Sequence, residues 1–161
     1  MSYRTQNILT IVGLIIIFIL AGLPAAKAQN MNLRATGEFD VKLDPKGEDK
    51  SELGTLARMS LDKQFRGDLV GTSKGEMLTA MAPLKGSGVY VAVERVNGTL
   101  AGRSGSFMLH HTGVMTRGTP SLSINVVPDS GTGQLAGLSG KLAIRIDGGK
   151  HFYDFDYSIA P

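Results

Sequence analysis

The sequence predicts an all-β fold of about eight antiparallel strands, an up-and-down barrel in preference to a sandwich, preceded by an N-terminal signal peptide. Three observations predict it. The chain carries 21 Gly in 161 residues and no Cys or Trp, and Gly with abundant Thr and Val favours short strands and tight turns over helices. Apolar and polar residues alternate with period two along much of the chain, as strands with one buried face do. The alternating runs are long and separated by few residues, which suits strands that neighbour one another in chain order.

Residues 1–28 stand apart from that pattern. Arg4 precedes an apolar run over residues 8–23 that only Thr10 interrupts, and Ala26-Lys27-Ala28 offers small residues where a signal peptidase reads them. These features predict a secretory signal cleaved after Ala28, with export to the periplasm or the extracellular space. The alternative is an uncleaved anchor, although the run falls short of the ~20 residues that span a bilayer comfortably. Cleavage leaves one domain over residues 29–161, with no membrane association after it. It removes Arg4 and Lys27 and no acid, so the formal charge falls from +3 to +1. Without a basic block, nucleic acid is excluded as a partner. Without Cys, stability outside the cytoplasm must come from the core alone.

Along the mature chain, residues 31–43 place Leu33, Ala35, Gly37, Phe39, Val41 and Leu43 on one face and Arg34, Thr36, Glu38, Asp40 and Lys42 on the other. Residues 44–54 are charged and broken by Pro45 and Gly47, and read as an exposed loop. Further strands are expected over residues 57–64, 67–82, 88–96, 99–112, 121–127, 141–147 and 151–159. The last one turns Tyr153, Phe155 and Tyr157 to one side, as a closing strand with a packed aromatic face does. Interior glycines such as Gly71, Gly75, Gly102 and Gly105 relieve crowding where strands curve.

Residues 89–111 form the central hairpin. Asn97-Gly98 between two strand-like runs predicts a two-residue type I′ turn, with Val96 facing Thr99 and Ala92 facing Arg103. One face then gathers Tyr90, Glu94, Arg103 and His111, and Glu94 and Arg103 lie close enough for a charge pair. Turned inward, these four place polar groups in an apolar cavity, as small-molecule pockets do. The opposite face is also partly apolar, so a loop or a second copy of the chain is expected to cover it.

Other motifs carry less. Residues 131–137 resemble a dinucleotide fingerprint, but the third Gly falls one residue late and a strand follows where a helix is needed, so a connecting loop is expected. His110 and His111 point to opposite faces and cannot share one metal, and His151 is distant; no metal or other cofactor is expected.

Several segments resemble one known family: Arg58-Met59-Ser60-Leu61-Asp62-Lys63-Gln64-Phe65, Gly67-Asp68-Leu69, Ser73-Lys74-Gly75-Glu76-Met77, Glu94-Arg95-Val96-Asn97-Gly98-Thr99-Leu100, Gly102-Arg103-Ser104-Gly105-Ser106-Phe107 and Val127-Pro128-Asp129-Ser130-Gly131-Thr132-Gly133. They resemble the bacterial domain of unknown function 3224 family over nearly the whole mature chain. The resemblance implies an eight-stranded barrel similar to allene oxide cyclase and the calycin-like barrels, with a small cavity and self-association. It supplies no reaction and no catalytic residue.

Three functions follow as expectations. The first is an exported barrel that binds a small apolar molecule through Tyr90, Glu94, Arg103 and His111. The second is an isomerase or cyclase in the same cavity, with Glu94 or His111 as acid or base and Arg103 holding an anion. The third is a structural or self-assembling envelope protein with no ligand.

Overall fold

A computed structural model describes residues 32–160; the expected signal peptide, residues 1–28, lies outside them. The chain runs up and down through β1 (Leu33–Ser51), β2 (Gly54–Gly67), β3 (Leu69–Met81), β4 (Gly88–Leu100), β5 (Arg103–Thr116), β6 (Thr119–Val126), β7 (Leu138–Asp147) and β8 (Lys150–Ile159). Among the described residues the one helical element is a 3-10 turn at Gly133–Leu135. Each strand pairs antiparallel with its neighbour in sequence, and β8 returns to β1, from Leu33 opposite Tyr157 to Phe39 opposite His151. The barrel is closed, which leaves few free sheet edges. The eight expected strands are thus present in the expected order.

Two expectations about local structure are overturned. The β4–β5 hairpin turns at Ala101-Gly102 and not at Asn97-Gly98: both turn residues have positive φ, at 47° and 82°, the type I′ geometry. Asn97 and Gly98 lie inside β4, opposite Ser106 and Gly105. Close packing explains the change. A Cβ on Gly98 would strike the Val70 carbonyl and the Gly71 Cα, and one on Gly105 would strike the Thr132 carbonyl and press on Leu135. Tertiary approach claims the glycine that local turn chemistry would have used. Both turns have two residues, so the move slips the register by eight, from Arg103 to His111 opposite Ala92, an even number that keeps every side chain on its face.

Residues 44–54 are largely exposed, as expected, but they are not a loop. They extend β1 and β2 into a protruding hairpin, with Pro45 opposite Met59, Ser51 opposite Gly54 and a bulge between Pro45 and Gly47. Both faces are wet there, so no alternation marks the strands and the hydrogen-bond ladder alone defines them. Pro45 is tolerated because it sits beside the bulge, beyond Phe39, where β1 no longer pairs with β8.

The barrel has one filled end and one hollow end. Phe65, Leu69, Leu100, Phe107, Ile124 and Phe155 are among the side chains that fill the first, and burying each large apolar group contributes about 1.5–3 kcal/mol. The aromatic face of β8 packs here as expected, with Phe155 5.9 Å from Phe107 and 5.2 Å from Tyr157 between ring centroids. The connection from β6 to β7 folds across this end and buries Leu135 completely. Its side chains replace a strand. Ser130 Oγ, Thr132 Oγ1 and Gln134 Oε1 accept from the backbone N–H groups of Met108, Ser106 and Ser104, which β6 leaves unpaired beyond Leu109. Residues 131–137 are therefore a connecting loop. Between β6 and β7 themselves the ladder holds a single pair, Asn125 opposite Lys141.

Candidate functional site

The hollow end contains a cavity of about 430 Å³ with walls that include Val41, Leu61, Met77, Ala92, Leu122 and Ile144. Its floor is polar. Lys63, Ser73, Glu94 and His111 are buried at the level where the filled half begins, and Lys63 and His111 line the cavity. Lys63 Nζ donates to Glu94 Oε1 at 2.7 Å, His111 Nε2 lies 2.8 Å from the same oxygen, and Ser73 Oγ donates to Glu94 Oε2.

Strand register builds this cluster. Lys63 on β2 is directly opposite Ser73 on β3, and Glu94 on β4 is opposite Gly75. A Cβ on Gly75 would lie 2.7 Å from the Glu94 Cβ, so the glycine leaves Glu94 room to reach across β3 to Lys63. His111 on β5 is opposite Ala92, one step along the same face from Glu94. Burial by itself would raise the Glu94 pKa. The hydrogen bond from His111, the charge and hydrogen bond of Lys63 and the hydrogen bond from Ser73 outweigh it, and the pKa falls to about 2. Glu94 is therefore an ionised carboxylate and can only accept, so Nε2 of His111 carries the hydrogen between them. Nδ1 of His111 makes no hydrogen bond among the described residues. No fully buried side-chain nitrogen or oxygen there lacks a partner, so Nδ1 is not sealed off, and His111 lines the cavity.

Of the four residues expected to form the site, the structure brings three together. Glu94 and His111 sit in the floor, and Tyr90 lines the cavity wall. The Tyr90 ring lies over Gly113, where any Cβ would collide with it. Its pKa is raised, first by burial and then by the charge of Glu94. Arg103 is elsewhere. With the turn at Ala101-Gly102 it becomes the first residue of β5, opposite Leu100 at the filled end. It is exposed there, and its charge acts on Tyr157. The expected Glu94–Arg103 pair is replaced by Glu94–Lys63.

Lys63 and Ser73 were not singled out from the sequence. The signal for Lys63 was present: Leu61, Lys63 and Phe65 share one strand face, and a cation between two core residues needs a buried partner. Lys63 Nζ also lies 4.9 Å from the Phe39 ring centroid, a contact worth about 0.5–2 kcal/mol. His110 points outward, opposite Val93 and Asn125. Among the described residues no group of three or more His, Cys, Asp or Glu side chains is placed to hold a metal ion, and no helix is long and apolar enough to cross a membrane.

Fold and site together define a closed eight-stranded antiparallel barrel, sealed at one end, whose open end holds an apolar cavity over a buried charged floor. The family described as "Protein of unknown function (DUF3224)" matches residues 35–157, and the chain belongs to that family. A crystal structure of a protein with unknown function from the same family, from Shewanella oneidensis MR-1, is 48% identical with a TM-score of 0.76, and the match covers 81% of this chain and 100% of that one. No curated protein matches the chain.

Proposed function

We infer that this is an exported barrel that binds a small apolar molecule in its open half, with Tyr90, Lys63 and His111 as the polar contacts and Glu94 holding the last two in place. The observation that carries this reading is the cavity itself: half the barrel is packed solid while the other half is an apolar hollow of about 430 Å³, a volume in the range of small-molecule sites. The envelope-structure reading has no comparable use for the hollow. Export is supported by Arg4, the apolar run and Ala26-Lys27-Ala28. Self-association is supported by the outward row Val89, Val91 and Val93 on β4, all exposed.

Titration with the apolar fluorophore N-phenylnaphthylamine tests the binding reading. Saturable enhancement at one site is expected, and Ala92→Phe, which fills the cavity, should abolish it while the unfolding midpoint is kept. No enhancement, or equal enhancement in Ala92→Phe, counts against it. Export is checked by N-terminal sequencing of the native protein, which should begin at Gln29; retention of residues 1–28 would support the anchor instead.

A further inference from the structure

We propose that the cavity floor is a proton-transfer site, in which His111 Nδ1 moves a proton between two carbons of an apolar unsaturated ketone. The proposal rests on the binding reading above and adds a reaction to it. Glu94 is not the base: both its oxygens are engaged by donors, from Lys63 and His111 on one and Ser73 on the other. It acts as a positioning residue. In the neutral imidazole, an ionised carboxylate on Nε2–H fixes one tautomer and leaves the lone pair on Nδ1, in a residue that lines the hollow. Lys63 supplies the complementary half. Its ammonium has three N–H donors, of which Glu94 takes one, and it too lines the cavity. Both nitrogens meet on a single oxygen, Glu94 Oε1, so a proton acceptor and a cationic donor stand side by side under apolar walls. Low polarity strengthens a donor aimed at developing negative charge.

That pairing fits a carbonyl compound with an acidic neighbouring C–H. In a β,γ-unsaturated ketone the C–H bond between the carbonyl and the double bond breaks, and its proton passes to Nδ1. The electron pair moves into a dienolate, whose oxygen accepts a hydrogen bond from Lys63 Nζ. Nδ1–H then protonates the far carbon, the carbonyl re-forms, and the double bond becomes conjugated. No atom is gained or lost, and neither an oxidant nor a reductant is needed. Tyr90 and His151 are the other titratable groups lining the cavity. Neither is bonded to Glu94, so neither shares the fixed orientation of His111.

The probe is the cyclohexenone whose double bond lies β,γ to its carbonyl, incubated with the mature protein in deuterated buffer. Expected are the ultraviolet absorbance of the conjugated isomer and deuterium at the far carbon by mass spectrometry. His111→Gln keeps an N–H for Glu94, and with it the fold, but has no base. It should lower the rate about 10²–10⁴-fold while the ketone still broadens in the NMR spectrum on binding. Glu94→Gln should shift the pH–rate profile, which a purely structural role would not do. Wild-type protein that binds the ketone without converting it overturns the proposal and leaves the binding reading standing, as does full activity in His111→Gln. Absence of any ketone binding also overturns the proposal, and the binding reading then stands or falls on the fluorophore titration.

Discussion

Replacing Lys63 by Met removes the cation from the buried cluster and keeps a side chain of similar length. Glu94, 2% exposed, is then left with His111 and Ser73 as donors and no countercharge. Stranding one member of a buried ion pair costs about 3–5 kcal/mol. The pH dependence gives a second, independent handle. A carboxyl whose pKa is lowered in the folded state from 4.5 to about 2 contributes about 3 kcal/mol of stability. Because the folded value is the lower one, that stability is present above about pH 4.5 and is lost as the pH falls towards 2. Without Lys63, burial acts on Glu94 with less opposition, its pKa rises, and the contribution shrinks. The gap between the wild type and Lys63→Met is therefore widest at neutral pH and narrows by roughly 2 kcal/mol by pH 3. Urea unfolding at both pH values, followed by far-ultraviolet circular dichroism and tyrosine fluorescence, measures it. The double variant Lys63→Met/Glu94→Gln should recover much of the loss, since no buried charge remains. A loss below about 1 kcal/mol at pH 7, or a gap that stays constant with pH, refutes the account of the cluster.

Four further outcomes are expected. Gly75→Ala should lower stability by about 1–3 kcal/mol in urea melts, because its Cβ meets the backbone of Val93 and the Glu94 Cβ. Ala101→Asn should raise stability by about 1 kcal/mol, since Ala holds a left-handed conformation at φ 47° that Asn tolerates better. Asn97→Ala, in mid-strand, should stay within about 0.5 kcal/mol; thermal melts of the two variants separate the observed turn from the Asn-Gly alternative. Val91→Lys with Val93→Lys should convert a self-associated species to monomer in sedimentation velocity, without changing the circular dichroism spectrum.

Face assignments were the most legible part of the sequence. Alternation placed Ala35 and Phe39 of β1 and Tyr153, Phe155 and Tyr157 of β8 on the buried side, where the structure has them. The same parity kept Tyr90, Glu94 and His111 inward despite a misplaced turn, because an even slip preserves sides. Distance along the strand was not legible. Arg103 has the right parity but stands at the wrong end, since its position depended on a turn decided by contacts among Gly71, Gly98 and Gly105 on three strands. Lys63 was hidden for a related reason. Its partner Glu94 is two strands away in the sheet, and only the register through Ser73 and Gly75 brings them together. The extension of β1 past Asp44 was invisible because an exposed ladder leaves no hydrophobic pattern.

The meeting of β6 and β7 gives the barrel an adjustable girth. Seven of its eight strand junctions are sewn by several pairs, and this one by Asn125 and Lys141 alone. Leu122 on one side of that junction and Ile144 and Ile146 on the other line the hollow. Parting the two strands on the hollow side of that pair breaks few hydrogen bonds. The vessel therefore has a pleat beside its hollow, while hydrogen bonds from Lys63, Ser73 and His111 tie its floor together.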